Sequence, residues 1–148
     1  MPLPQLSVFM ENRHGWMSKI VSCLDESGIE VLALSIAEAG EVGLMRLIVS
    51  SPDNASKILE GADFSLAKSR RNTEVTAVLI MGENRISKVT RILADNDVNI
   101  EYAYSFGTPA AGKFVLILRV DDTIRAEKAL TENGITVLSL EDLKKQLQ

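Results

Sequence analysis

The side chains that most often carry out acid–base, nucleophilic or metal chemistry are scarce in this sequence. It contains one histidine, His14, and one cysteine, Cys23. A single cysteine excludes an intrachain disulfide and a multi-cysteine metal centre, and a single histidine argues against the commonest metal and proton-transfer sites. Aspartate and glutamate are plentiful, but no acid–base constellation stands out among them. The sequence therefore predicts a protein that is not an enzyme and that has no metal site and no cofactor.

The composition is that of a globular protein rather than a disordered, collagenous or disulfide-stapled one. Hydrophobic residues make up 46% and charged residues 24% of the 148 positions. Sixteen Lys and Arg residues against twenty Asp and Glu residues give a net charge of −4, which disfavours a nucleic-acid partner. Apolar runs such as Val75–Met81 are too short to cross a membrane, and Met1–Met10 has no basic residue. We therefore expect a cytoplasmic protein with no nucleic-acid and no membrane partner.

Short segments of the chain recur further along it. Ser18–Ile20 reappears as Ser87–Val89, 69 positions later, whereas Met10 and Met81 are separated by 71 positions. The later matches, also 71 positions apart, are Val49 with Val120, Ala55 with Ala126, Lys57 with Lys128, and Leu59 with Leu130. We interpret this pattern as a duplication. In the second copy the stretch between the first strand and the first helix is predicted to be two residues shorter.

Both copies show the same order of predicted elements, namely strand, helix, strand, strand, helix and strand. In the first copy these are Leu6–Met10, Trp16–Ser27, Val31–Ala39, Leu44–Val49, Pro52–Gly61 and Phe64–Lys68. In the second copy they are Val75–Met81, Ile86–Asn96, Asn99–Phe106, Phe114–Val120, Thr123–Asn133 and Thr136–Ser139, followed by a helix over Leu140–Gln148. A polar linker over 68–74 joins them. We therefore divide the chain into residues 1–70 and residues 71–148, the second with the short C-terminal helix.

The βαββαβ order is that of the ferredoxin-like motif, an α+β fold with an antiparallel sheet and both helices on one face. We predict two such repeats, paired side by side. The other face of each sheet would be bare, and such a face with Tyr102, Tyr104 or Phe106 on it would need cover from a partner chain or a ligand. Because each repeat has roughly 70 residues and little core of its own, we also expect a homodimer.

The segment Met10–Met17 resembles the loop between the first strand and the first helix of ACT domains. That family often shows Glu-Asn-Arg-Pro-Gly and then a hydrophobic residue at this place. The chain keeps four of these residues and replaces the proline by histidine, which gives Glu11, Asn12, Arg13, His14 and Gly15. A second family feature is a glycine-aliphatic-Asn-aliphatic run that enters the second strand. The first copy shows Gly28-Ile29-Glu30-Val31 at this place, and the second copy shows Asp97-Val98-Asn99-Ile100. The resemblance covers about residues 5–139.

The resemblance implies a regulatory module that binds an amino acid where two ACT domains pair. A glycine where the loop meets the helix lets a ligand approach the backbone, and the N–H groups of the helix start suit an α-carboxylate. An asparagine side chain can meet either an ammonium or a carboxylate group. By this resemblance the ligand-binding residues are Asn12, Arg13, His14, Gly15, Trp16, Met17, Asn99 and Ile100. The family's histidine two places before the asparagine is Met10 here, which argues against serine as the ligand.

A second site of the same kind is predicted to be weaker. It would use Asn84, Arg85 and Ile86 from the second copy, with Glu30 and Val31 from the first. It lacks the loop glycine at the matching place, and the Glu30 carboxylate would repel that of a ligand. If the two repeats of one chain pair with each other, we predict one good site per chain. If two chains dimerise by pairing like repeats, this asymmetry disappears.

Other proteins with the βαββαβ order fit the sequence less well. An RNA-recognition module would need basic and aromatic residues on its central strands, but Leu44–Val49 has no aromatic residue and only one basic residue. An acylphosphatase-like enzyme would need a glycine-rich phosphate loop, and Glu11 opposes a phosphate here. A ferredoxin would need several cysteines. The predicted function is thus regulation of a separate target enzyme or regulator by a bound small molecule, an amino acid. The alternative is a structural or protein-interaction module whose ligand site has decayed.

Overall fold

Two copies of a strand–helix–strand–strand–helix pattern follow one another in the computed structural model, which describes residues 2–11, 15–39, 42–107 and 112–146. Up to the short helix that joins the copies, the elements are β1 (Leu3–Pro4), β2 (Leu6–Glu11), α1 (Trp16–Glu26), β3 (Val31–Ala39), β4 (Val42–Val49), α2 (Pro52–Gly61) and α3 (Arg70–Thr73). The elements that follow are β5 (Glu74–Met81), α4 (Ile86–Asp95), β6 (Ile100–Phe106), β7 (Lys113–Val120), α5 (Thr123–Glu132), β8 (Val137–Leu138) and α6 (Leu140–Gln146).

The chain divides into two compact units that follow the two copies except at the chain ends. The first unit contains residues 4–73 and the C-terminal segment from Lys144. The second unit contains residues 74–143 and the N-terminal segment up to Leu3. Each unit has its own antiparallel sheet and its own apolar core. The division into domains of residues 1–70 and 71–148 stays a prediction.

The sheet of the first unit has the order β2-β4-β3, with both pairings antiparallel. The face of α1 that carries Ile20 and Leu24 is turned toward this sheet, because both side chains are fully buried while the residues between them are more exposed. Alternate strand residues and the inner faces of both helices form one cluster, whose buried members are Leu6, Val8, Ile20, Leu24, Ile29, Met45, Leu47, Val49, Ala55 and Leu59. Burial of such side chains is the main source of stability in the unit.

The second unit repeats this arrangement with the order β1-β5-β7-β6, and β8 also pairs with β5. Its core brings together Val78, Ile80, Val89, Ile92, Leu93, Val98, Leu116, Leu118, Val120, Ala126, Ala129, Leu130 and Ile135. The predicted α+β fold of two βαββαβ repeats is confirmed. The added strand β1 was not predicted, because two residues carry no readable alternation.

The last predicted strand of the first copy, Phe64–Lys68, is reduced to a single bridge between Leu66 and Val8. A left-handed residue, Asp63 with φ 67°, turns the chain just before it, and α3 begins soon after it. The pairing is made by backbone hydrogen bonds from Phe9 N–H to Ser65 O (2.9 Å) and from Ala67 N–H to Ser7 O (2.8 Å). The expected polar linker over 68–74 therefore contains one helical turn and a strand start.

Strand pairing corrects the alignment of the two copies at their first strands. Met10 lies opposite Gly43, and Ile80 lies opposite Phe114. Since Gly43 and Phe114 are 71 positions apart, Met10 corresponds to Ile80, 70 positions later, and not to Met81. Met81 is 46% exposed, on the face away from the helices, because neighbouring strand residues point to opposite faces. The stretch from strand to helix is thus one residue shorter in the second copy, not two.

The strands β3 and β6 each contain a bulge near their start, between Val31 and Ala33 and between Ile100 and Tyr102. The bulge residue is Leu32 in β3 and Glu101 in β6, and the following strands supply Ile48 and Arg119 at equivalent positions. In the second unit the Arg119 Nε lies 3.3 Å from Glu101 Oε1, and Nη1 donates to the Glu74 carbonyl (2.8 Å). The first copy therefore has two buried apolar side chains where the second has a largely buried ion pair.

The three aromatic residues of β6 lie on the sheet face away from α4 and α5. Tyr104 is opposite Ile117 and Phe106 is opposite Val115, whereas the core cluster uses the alternate residues of β7. All three rings, including that of Tyr102, are half-buried.

The N-cap of α5 offers a matched comparison between the copies. The Asp122 side chain accepts a hydrogen bond from Arg125 N–H (3.0 Å), whereas the equivalent Ser51 makes no side-chain cap to α2. Asp122→Ala is expected to lower the free energy of unfolding by about 1 kcal/mol. Ser51→Ala should change it much less. Urea denaturation measures both variants, and an equal loss from the two would contradict the capping role of Asp122.

Candidate functional site

A concave surface of about 500 Å³ lies in the first unit, where β2 ends and α1 begins. Its lining residues are Met10, Glu11, Gly15, Trp16, Met17, Ser18 and Val21. We call this surface the α1 cleft. It contains three of the residues that the resemblance singled out, Gly15, Trp16 and Met17. The neighbouring candidates Asn12, Arg13 and His14 lie outside the described residues, so their roles stay predictions.

Gly15 is the N-cap of α1 and has a left-handed backbone, with φ 79°. Its carbonyl accepts the first helical hydrogen bond, from Lys19 N–H (2.9 Å). The N–H groups of the first turn have no acceptor within a helix, and the helix dipole adds partial positive charge there. A β-carbon at Gly15 would meet no atom within 4 Å, so the backbone is open at this point. The start of α1 is therefore suited to a carboxylate group.

Trp16 forms a half-buried wall of the α1 cleft. Its ring meets that of Phe64 edge to face, with centroids 5.6 Å apart and planes at 84°. Lys19 is also a residue of α1, and its Nζ lies 5.8 Å from the Trp16 ring centroid. These contacts orient the indole, and because Trp16 is the single tryptophan of the chain, its fluorescence reports on this cleft alone.

The rest of the cleft is mainly apolar. Met17 is 40% exposed, Val21 is half-buried one turn further along α1, and Met10 contributes from β2. Glu11 and Ser18 also line the cleft. Met17 and Val21 are apolar residues four positions apart on α1, which puts them on the same side of the helix. Nothing in the sequence indicates that this side faces a cleft.

Asn99 and Glu30 occupy equivalent, exposed positions just before β6 and β3. The Asn99 N–H donates to Asp121 Oδ1 (2.9 Å), and the Glu30 N–H donates to Ser50 Oγ (3.0 Å). Each backbone is thus held by a side chain from the end of a neighbouring strand, which supports the alignment of the two copies. The next residues along the chain, Ile100 and Val31, begin the strands and are half-buried.

The loop between β5 and α4 in the second copy is held in place by hydrogen bonds of its own Asn84 side chain. Asn84 Nδ2 donates to the Gly134 carbonyl (3.2 Å), and Asn84 Oδ1 accepts from Lys88 Nζ (2.9 Å). The N-cap of α4 is Arg85, with φ −91°, where the first copy has a left-handed glycine. Ile86, the first residue of α4, is exposed. Both ends of the Asn84 amide are therefore hydrogen-bonded within the second unit.

Over residues 2–11, 15–39, 42–107 and 112–146, no group of three His, Cys, Asp or Glu side chains is placed to hold a metal ion. None of the helices in these ranges combines the length and the apolar character needed to cross a bilayer.

The comparisons with known proteins agree with this fold. A family model described as ACT domain pair matches residues 1–147. Among solved structures, protein BT0572 from Bacteroides thetaiotaomicron is 30% identical, with a TM-score of 0.86, over 97% of this chain and 96% of that chain. No curated protein matches the chain.

Two more distant structures share the fold. The ligand-free regulatory subunit of aspartate kinase from Thermus thermophilus is 18% identical, with a TM-score of 0.60, over 90% of this chain and 94% of that chain. The corresponding subunit from Thermus flavus is 16% identical, with a TM-score of 0.59, over 100% and 94%. Because the family model spans both copies of the βαββαβ unit, the chain belongs to the family of ACT domain pairs, which are small-molecule-binding regulatory modules.

Proposed function

We propose that this protein binds an amino acid in the α1 cleft and regulates a separate protein, without catalysing a reaction itself. The observation that carries the proposal is the cleft over the start of α1, with Gly15 in a left-handed conformation at the place of the family's ligand loop. An α-carboxylate fits the N–H groups of the helix start. The names of the two Thermus neighbours, both regulatory subunits, support the regulatory role.

We further propose one good site per chain. It would combine Asn12, Arg13 and His14 of the first loop with Asn99 and Ile100. The opposite site, formed by the second loop with Glu30 and Val31, would be weaker. The closed second loop supports this asymmetry, since Asn84 already uses both ends of its amide.

The first test is a panel of the twenty amino acids, read by Trp16 fluorescence and by thermal unfolding. A ligand at about 100 times its Kd should stabilise the protein by about 2.7 kcal/mol. Asn12→Ala and Asn99→Ala are expected to remove this shift, whereas Glu30→Ala should keep it. Equal loss from all three variants would overturn the single asymmetric site.

The protein is proposed to act as a cytoplasmic homodimer that contacts a target enzyme or regulator. The strand β3 lies at the edge of the first sheet, and Leu34 and Ile36 on it are exposed. An exposed apolar edge strand is a common docking surface for a second chain. The same observation favours the second candidate function, an interaction module with a decayed ligand site. A protein that dimerises but responds to no amino acid would support that second function.

A further inference from the structure

One wall of the α1 cleft depends on a glycine that lies outside the ligand loop. Gly43 of β4 is buried directly opposite Met10, on the helix side of the first sheet. A β-carbon at Gly43 would lie 3.1 Å from Met10 Cε and 3.6 Å from the Met10 carbonyl oxygen. The end of the flexible Met10 side chain would therefore have to shift by a few tenths of an ångström to admit a β-carbon at position 43.

The second copy shows what happens when the position equivalent to Gly43 carries a side chain. Phe114 stands at the position of Gly43 and Ile80 at that of Met10, and both belong to or pack against the core of the second unit. The first copy thus has a flexible methionine opposite a glycine, where the second copy has a β-branched isoleucine opposite a phenylalanine. A thioether chain has more freedom to adapt its shape than a β-branched side chain.

From this geometry we infer that Gly43 and Met10 set the depth of the α1 cleft, and that the cleft takes an amino acid with a long apolar side chain. The inference rests on the proposed amino-acid site and narrows its ligand class. The start of α1 supplies N–H groups that suit the α-carboxylate group. The surface left for the ligand side chain is formed by Met10, Trp16 and Val21, which offer no charge to a polar or ionic side chain.

A series of amino acids with the same α-groups tests the ligand class. Alanine, 2-aminobutyrate, norvaline and norleucine differ by one methylene at each step, and methionine and glutamine have similar shapes but different polarity. Each methylene buried in an apolar cleft is expected to tighten binding about fourfold. Titration of Trp16 fluorescence should therefore give increasing affinity along the series, with methionine bound at least tenfold more tightly than glutamine.

Variants at Gly43 test the wall. Gly43→Ala is expected to displace Met10 Cε and to weaken norleucine binding severalfold while leaving alanine binding unchanged. Gly43→Phe introduces the residue that the second copy has at this position. In this variant the affinity should increase only over the shorter amino acids of the series and not over the longer ones. Met10→Ala in the Gly43→Ala background should restore norleucine binding, because the displaced group is then absent. Gly61→Ala is the control, since a β-carbon there would meet no atom within 4 Å and Gly61 does not line the cleft.

The outcomes separate this inference from the proposed function. A flat series, or glutamine bound as tightly as methionine, would overturn the ligand class while amino-acid binding itself stood. Unchanged norleucine affinity in folded Gly43→Ala and Gly43→Phe, with folding checked by thermal unfolding, would overturn the role of Gly43. No response to any amino acid would instead overturn the proposed function.

Discussion

Replacing Arg119 by isoleucine is expected to lower the free energy of unfolding by about 3–5 kcal/mol. The reason is that Glu101, whose side chain is 19% exposed, would lose the guanidinium group 3.3 Å away. The Glu74 carbonyl would lose its 2.8 Å hydrogen bond in the same variant. The loss of a cation beside a largely buried carboxylate is destabilising, whereas the intact pair adds little stability beyond the cost of its desolvation.

The first copy provides the matching replacement, because it has Leu32 and Ile48 where the second has Glu101 and Arg119. The double variant Glu101→Leu, Arg119→Ile is therefore expected to recover most of the loss, to within about 1 kcal/mol of the native protein. Urea denaturation of the two single variants and the double variant gives the coupling between the two sites. A double variant as unstable as Arg119→Ile would contradict the interchangeability of the two pairs.

An exposed ion pair serves as the control. Lys68 Nζ lies only 2.7 Å from Glu60 Oε1, yet the two side chains are well exposed to solvent. Lys68→Ile should cost less than about 1 kcal/mol, because exposed pairs contribute little whatever their distance.

Gly15→Val is expected to remove the fluorescence response to the amino-acid ligand and to lower stability by about 1–2 kcal/mol. The left-handed φ of 79° is disfavoured for a β-branched residue, so the chain would leave this conformation and move the first turn of α1. The N–H groups proposed to hold the ligand carboxylate would then no longer face the cleft. Fluorescence titration should show binding at least tenfold weaker than in the native protein.

The variant Gly28→Val tests whether backbone strain alone, away from the cleft, weakens ligand binding. Gly28 has φ 74° and equally open surroundings, but it lies beyond the C-terminal end of α1. Its stability loss should be similar to that of Gly15→Val, while its affinity for the ligand should stay native. If both variants bound the ligand equally well, the helix start would not be the carboxylate site.

The elements with strong local patterns were predicted with little error. The bounds of β3 and α2 agree with the sequence prediction, since an apolar run and an N-terminal Pro52 define them. Features that depend on pairing partners were not predictable in the same way. The strand β1 and the single bridge at Leu66 exist because another strand lies beside them. The correspondence of Met10 with Ile80 likewise needed the register of both sheets.

The same division applies to the candidate site. The loop motif points to Gly15, Trp16 and Met17, and all three line the α1 cleft. Gly43 escapes sequence reasoning because its importance comes from the cross-strand neighbour Met10, which is 33 positions away in the chain. That Asn12 and Asn99 contribute to one ligand site stays a prediction, which the variants Asn12→Ala and Asn99→Ala test.

The assignment of the chain ends to opposite units bears on how such a pair evolves. The segment up to Leu3 belongs with residues 74–143, and the segment from Lys144 belongs with residues 4–73. A gene cut between the two copies would therefore encode two products, each without one segment of its own unit. A gene rearrangement keeps both units complete only when it moves the two copies together.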